Sequence, residues 1–355
     1  MPDISPIYPT DRRAMAEVDR LLTGEGIRRD GNLDYICGIY DENYKLIATG
    51  SAFGNTLRCF AVDHRHQGEG LLNAVIGHLM EHQQGMGYSH LFIYTKCSSA
   101  RFFRDLGFYE IARVEETLVF MENRRKGFSA CLDRFRKETR EAGEAPEEEQ
   151  GKRVAAIVMN ANPFTLGHQY LVEQAAGEND ILHLFLVSED ASLVPFEVRR
   201  RLVQEGISHL GNVILHDSGP YIISQATFPS YFQKDAAEVS RSHALLDITI
   251  FGKIAEALGI TRRYVGEEPY SEVTGIYNQL MEEELPKAGV NCIILPRKEL
   301  EGRAISASHV RALLQKGEME SLAKLLPPST LEFFRSPEAK PVLERIQKAH
   351  QVIHH

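Results

Sequence analysis

No stretch of the 355-residue chain stays apolar over the roughly 20 residues that a membrane-crossing helix requires. The opening MPDISPIYPTDRR lacks the apolar core of a secretory signal, so no export is expected and the expected location is cytoplasmic. Cysteine is sparse: Cys37, Cys59, Cys97, Cys131 and Cys292 make an odd count with no C-x-x-C pair. Free, mostly buried thiols in a reducing compartment are the plain reading, and none of the five has sequence support as a nucleophile. Positive charge is not in excess: 40 Lys and Arg stand against 49 Asp and Glu, a formal net charge of −9. Domains that grip nucleic acid usually carry a basic excess or stripe, so small molecules and proteins are the expected partners. Internal repeats and long low-complexity segments are also absent.

What remains is ordinary globular composition, 43% apolar and 25% charged, in a chain long enough for two domains with separate cores. The segment KETREAGEAPEEEQGK, Lys137 to Lys152, has no apolar face to bury and reads as a linker or a solvated helix end. The expected division is therefore a first domain over 1–140, a charged linker over 141–152 and a second domain from Arg153 onward. Residues 325–355 are expected to form a helical cap on the second domain.

In the first part, 34–40 and 45–52 read as a hairpin, 60–62 as a strand end, 71–84 as a helix, 90–95 as a strand and 99–106 as a helix stopped by Gly107. The second part alternates strands at 154–159, 182–188, 213–216, 263–266 and 291–295 with helices at 168–176, 197–209 and 307–316. Such alternation predicts an α/β fold with a mostly parallel, doubly wound, Rossmann-like sheet.

Two stretches carry chemistry in the second part. Asn160-Ala161-Asn162-Pro163-Phe164-Thr165-Leu166-Gly167-His168 follows the apolar strand 154–159 directly. It places Thr165 and His168 at a helix start on the carboxyl edge of the sheet, where open α/β sheets bind ligands. His168 can donate to phosphate oxygens there, Gly167 allows close backbone approach, and free helix N–H groups add to the anion site. Late in the chain, Ile305-Ser306-Ala307-Ser308-His309-Val310-Arg311 offers hydroxyls at a helix start and a phosphate-binding arginine. Asn162 and Phe164 belong to the same candidate nucleotide site. Arg199 or Arg200, in FEVRRR, is a further phosphate candidate beside the reading of a solvated helix face. Gly266, opening Gly266-Glu267-Glu268-Pro269-Tyr270 after a strand, is either a ribose or base contact or a plain loop. In the first part, Arg65-His66-Gln67-Gly68-Glu69-Gly70 joins a strand to a helix; it is an anion loop for a pyrophosphate or an ordinary turn.

The first-part loop resembles the R/Q-x-x-G-x-G/A signature of the GNAT acetyltransferase family in Arg65, Gly68 and Gly70. Ser99 to Phe108 is similar to that family's second signature, a helix ending in Leu-Gly-Phe. The resemblance implies a mixed α/β domain that binds a coenzyme-A-type pyrophosphate. The stretch from Thr165 to His168 resembles the (H/T)-x-G-H motif of the nucleotidyltransferase superfamily, and Ile305 to Arg311 its I-S-x-S-x-x-R segment. That likeness implies catalytic roles for Thr165, His168 and Arg311, nucleotide contacts from Ser306 and Ser308, ATP as cosubstrate, and Mg²⁺ on the phosphates without a dedicated metal cage.

The two domains in this order, with Asn162 to His168 and Tyr221 to Phe232, resemble the [citrate (pro-3S)-lyase] ligase family over nearly the whole chain. The resemblance implies an acid–thiol ligase that releases AMP and diphosphate. Its substrates would be acetate and the thiol of a dephospho-coenzyme-A-type prosthetic group on the citrate lyase acyl carrier subunit. Residues 221–232 are the candidate wall of an acetate pocket or the approach of the carrier thiol. Three other readings stay open: a same-fold enzyme with a nucleotide-cofactor precursor or tRNA as acceptor, a non-catalytic acyl-coenzyme-A sensor, and a plain acetyltransferase.

Overall fold

The computed structural model describes residues 3–143, 151–188, 192–222, 228, 236–267 and 272–349. The chain divides into two units, Met1–Phe128 with Thr227–Thr249, and Ser129–Ala226 with Ile250–His355.

The first unit is built on a seven-stranded mixed sheet. Its strands are β1 (Ile4–Pro6), β2 (Tyr35–Tyr40), β3 (Leu46–Phe53), β4 (Thr56–Val62), β5 (Phe92–Thr95), β6 (Tyr109–Val114) and β7 (Leu118–Glu122), in the order β1-β2-β3-β4-β5-β7-β6. Only β4 and β5 are parallel. Side chains alternate between faces along each strand. Cys37 and Phe60 join α2 (Leu71–Gly85) in one core through Val75, Ile76 and Leu79. Ile36, Cys59 and Ala61 join α1 (Arg12–Gly24) in another through Met15, Val18 and Leu22. The short helix α3 (Ala100–Asp105) lies between β5 and β6 in the chain, as the Leu-Gly-Phe signature required. Registered pairing of β4 with β5 is confined to Thr56 with Phe92 and Leu57 with Ile93. The rest of β4 runs on to Val62 and delivers the chain to the Asp63–Gly70 loop.

The second unit carries a parallel sheet. Helix α4 (Gly127–Glu141) precedes β8 (Val154–Met159), α5 (Leu166–Glu178), β9 (Ile181–Leu186), α6 (Phe196–Gly206) and β10 (Val213–Asp217). Then come α7 (Ala236–Leu258), β11 (Arg262–Gly266), α8 (Glu272–Glu284) and β12 (Asn291–Leu295). A two-strand ribbon of β13 (Glu299–Leu300) and β14 (Arg303–Ala304) leads to α9 (Ala307–Lys316), α10 (Pro328–Arg335) and α11 (Lys340–Lys348). Strand order is β10-β9-β8-β11-β12, and every pair is parallel. Helices cover both faces of such a sheet, which is why β8 is a continuous apolar run and β9, apolar but for His183, is buried along its whole length. The chain winds outward from β8 to β10, then returns to β11 on the other side of β8. That reversal is a topological switch point, and in open α/β sheets ligands bind beside the carboxyl ends of the strands flanking it, here β8 and β11.

Helix α7 has no counterpart in the sequence reading. Its stretch Leu246 to Phe251 is rich in β-branched residues, and Ala244, Leu246, Ile248, Ile250, Phe251 and Ile254 are all buried. Apolar residues on more than one face erase the helical period on which such a reading depends.

Candidate active site

The carboxyl end of β8 runs into Asn160–Phe164, and three buried polar groups hold that loop. Arg199, fully buried on α6, donates from Nε to the Val194 carbonyl (3.0 Å) and from one terminal nitrogen to the carbonyls of Asn160 (2.8 Å) and Val187 (2.9 Å). Asn162 accepts the Val194 N–H on Oδ1 at 3.0 Å. Arg311, 1% exposed on α9, donates to the Asn162 carbonyl at 2.6 Å. Phe164 is fully buried, with its ring 5.9 Å from that of His168 and nearly parallel to it.

Thr165 caps α5. Its hydroxyl accepts the His168 N–H at 3.4 Å, and its own N–H donates to His168 Nδ1 at 3.1 Å. A backbone N–H can only donate, so Nδ1 is the unprotonated nitrogen and the ring proton sits on Nε2. Removal from water, reinforced by the positive charges of Arg297 and Arg311, pushes the His168 pKa down to about 4. His168 is therefore a neutral ring with an Nε2–H donor at a helix N-terminus.

Gly167 joins the two motifs. A Cβ there would lie 2.6 Å from the Ile305 carbonyl oxygen, so only glycine lets α5 start this close to the Ile305–Arg311 segment. The close approach is thus backbone to backbone. Ser306 caps α9 by accepting the His309 N–H at 3.2 Å, and its hydroxyl lies 3.1 Å from that of Ser308. Both serines are partly exposed. Gly266 ends β11 on the same edge, and its carbonyl accepts from Asn278 Nδ2 at 3.3 Å.

In the first unit, Gly68 and Gly70 have φ of +88° and +77°, the left-handed region in which a side chain is strained. Gly70 caps α2, so the loop delivers the chain to the helix N-terminus. Arg65 is tied to Asp63 through Nε (3.1 Å) and a terminal nitrogen (2.8 Å), and Lys45 Nζ meets the same carboxylate at 2.9 Å. These partners, Arg65 first, hold the Asp63 carboxyl well below the usual carboxylate range.

Residues 154–334 match the citrate lyase ligase C-terminal domain family. The chain is 38% identical over 328 residues to the [citrate [pro-3S]-lyase] ligase of Klebsiella pneumoniae, covering 91% of this chain and 93% of that protein. It is 36% identical over 332 residues to the enzyme of the same name from Haemophilus influenzae, covering 92% and 96%. The chain belongs to the citrate lyase ligase family. It is a ligase, of the class that family defines. Among solved structures it is similar to the ribosomal-protein-S18-alanine N-acetyltransferase of Escherichia coli, at 18% identity and a TM-score of 0.27 over 34% of this chain and 92% of that one.

Within this citrate lyase ligase family member, Thr165, Gly167, His168, Ser306 and Ser308 come together at the carboxyl edge as their motifs suggest. Asn162, Phe164, Arg199 and Arg311 lie behind them, occupied in holding the loop. Gly266 ends the strand beside β8 and β12. Arg65, Gly68 and Gly70 form their own loop in the other unit. Residues 268–271 and most of 221–232 lie outside the described residues, apart from Tyr221, Ile222 and Phe228.

Sequence reading missed Arg297 and Lys298, which directly follow Pro296 at the carboxyl end of β12. Arg297 Nε donates to the Glu267 carbonyl at 2.6 Å, and Lys298 stands 5.9 Å over the Tyr170 ring of α5. Two cations just past the end of an apolar strand in a parallel sheet were the available signal.

Proposed function

We propose that the second unit activates acetate as acetyl-adenylate with ATP, and that the acetyl group is then passed to the prosthetic-group thiol of the citrate lyase acyl carrier subunit. The carrying observation is the neutral His168 with Nε2–H at the start of α5, packed through Gly167 against the backbone of Ile305, which leads into Ser306 and Ser308. That arrangement supplies donors for phosphate oxygens without a protein nucleophile, which is what adenylyl transfer needs.

An acetate oxygen attacks the α-phosphorus in line, and the bond to the bridging oxygen breaks with its electron pair leaving on pyrophosphate. The product is a mixed anhydride. A thiolate then adds to its acetyl carbon, and the C–O bond breaks to release AMP and leave a thioester. His168 keeps its proton throughout and steadies phosphoryl charge as a neutral donor. Mg²⁺ arriving with ATP would supply positive charge that offsets the phosphates during displacement. Among the described residues no group of three His, Cys, Asp or Glu side chains could hold a metal.

The dephospho-coenzyme-A-type group retains a pyrophosphate, which the Arg65–Gly70 loop is suited to take at the start of α2. This reading places the acceptor arm on the first unit and the anhydride chemistry on the second, with the enzyme acting in the cytoplasm.

Acetate-dependent ATP–pyrophosphate exchange tests the first step. Exchange that requires acetate and is lost in His168→Ala supports it. Exchange that ignores acetate points to another adenylylated acid. Absence of exchange both alone and with deacetylated carrier refutes it. For the second step, Gly68→Glu should cut acetyl transfer to the carrier while leaving exchange intact; unchanged transfer by the folded variant rejects that role for the loop.

A further inference from the structure

Of the arginines that the motifs offer for phosphate binding, Arg199 and Arg311 are buried and committed elsewhere, and Arg200 pairs with Asp217 at 2.9 Å. Arg199 has no exposed surface and donates to three carbonyls; Arg311 is 1% exposed and donates to the Asn162 carbonyl. Positive charge facing the carboxyl edge must come from other side chains, because a pyrophosphate leaving group carries charge that hydroxyls and N–H dipoles only partly offset.

The segment after β12 supplies it. Arg297 is half-buried, and its Nε bond to the Glu267 carbonyl fixes the guanidinium beside the end of β11. Its charge reaches His168, on whose proton affinity it acts. Lys298 is exposed, and its ammonium lies over Tyr170, two residues beyond His168 on α5. The Lys298 carbonyl accepts the Ile305 N–H at 2.9 Å, so this segment is tied to the serine-bearing segment. Backbone at the ends of β11 and β12 and the start of α9 thus aims both cations at one edge.

We propose that Arg297 and Lys298 bind the β- and γ-phosphates of ATP and receive the charge of departing pyrophosphate, while Arg199 and Arg311 only position the loop. The inference rests on the ATP-dependent reading above and assigns the leaving-group side of that site. Arg297, fixed in direction, suits two-point contact with phosphate oxygens; Lys298, on a flexible stem, acts as a point charge.

The test compares ATP with AMP, which lacks the two phosphates in question. Affinities of the purified full-length protein for each nucleotide are measured by calorimetry for wild type, Arg297→Gln, Arg297→Lys and Lys298→Gln. ATP affinity should fall about tenfold or more in each Gln variant, the worth of one charge-assisted hydrogen bond. AMP affinity should hold, and Arg297→Lys should recover part of the loss. Equal losses for ATP and AMP would mean that the segment merely shapes the pocket, and would overturn the proposal. So would unchanged ATP affinity in both Gln variants. Lys298→Gln alters an exposed side chain and keeps the question open to measurement should Arg297→Gln fail to fold. A wild-type protein that binds neither nucleotide would sink the ATP-dependent reading itself, a result distinct from one confined to the variants.

Discussion

Replacing Gly167 by alanine tests the junction of the two motifs most directly. The added methyl would sit 2.6 Å from the Ile305 carbonyl oxygen, about 0.8 Å inside the 3.4 Å at which ordinary contact begins. The obstructing atom is backbone, tied in place because the Ile305 N–H donates to the Lys298 carbonyl at 2.9 Å. It cannot rotate away as a side chain would, so the start of α5 and the Ile305–Ser308 segment must separate by most of that distance. Overpacking of this kind costs about 1–3 kcal/mol. For a unit of this size each kcal/mol lowers the melting temperature by about 2–4 °C. The catalytic effect should be larger, since displacement approaching 1 Å between positioning groups costs on the order of 100-fold in rate. Gly177, in the same helix, is the control: a Cβ there meets nothing within 4 Å. Gly177→Ala should leave exchange unchanged and add up to about 1 kcal/mol through helix propensity. Thermal denaturation and acetate-dependent exchange on both variants decide the matter. A Gly167→Ala enzyme with wild-type melting and wild-type exchange would refute the reasoning.

Other consequences follow from the same geometry. With a pKa pushed down to about 4, His168 stays neutral from pH 6 to 8, so exchange should show no limb that disappears on replacing it with Gln; such a limb near 6.5 would contradict the assigned proton position. Arg199→Met should destabilise the second unit by about 3 kcal/mol or more in urea denaturation, because the buried carbonyls of Val187 and Val194 and the part-buried one of Asn160 lose their donor. Arg200→Ala, which breaks one partly exposed pair with Asp217, should cost under about 1 kcal/mol. His183, fully buried on β9, meets His216 at 2.9 Å, and burial pushes its pKa down to about 3. The unfolded chain takes up this proton below about pH 6.5 and the folded one does not, so stability falls as pH drops from there toward 3. His183→Asn keeps a donor toward His216 while removing the titration, and its stability should fall less steeply over that range.

Strand and helix positions in both units were largely legible because apolar period and glycine stops are local properties. The hairpin at Asp41, helix α2, the five strands of the parallel sheet and α9 all carry their signal within a dozen residues. Helix α7 did not, since burial on more than one face leaves no polar stripe to read. The first residues of the chain gave too little contrast to announce β1 and α1.

The division at the site follows the same line. The residues after β8 and before α9 specify, by themselves, a threonine cap, a histidine three residues on and a serine cap at the next helix, because capping is a bond between near neighbours. Where each arginine lies was decided by the tertiary fold. Arg199 meets Asn160 and Arg311 meets Asn162 across 39 and 149 residues of chain, and both side chains end up buried. The same folding brings Ile305 against Gly167, and aligns Arg297 and Lys298 with the His168 edge. A charge's role depends on how much water remains around it, and only the packing of distant segments determines that.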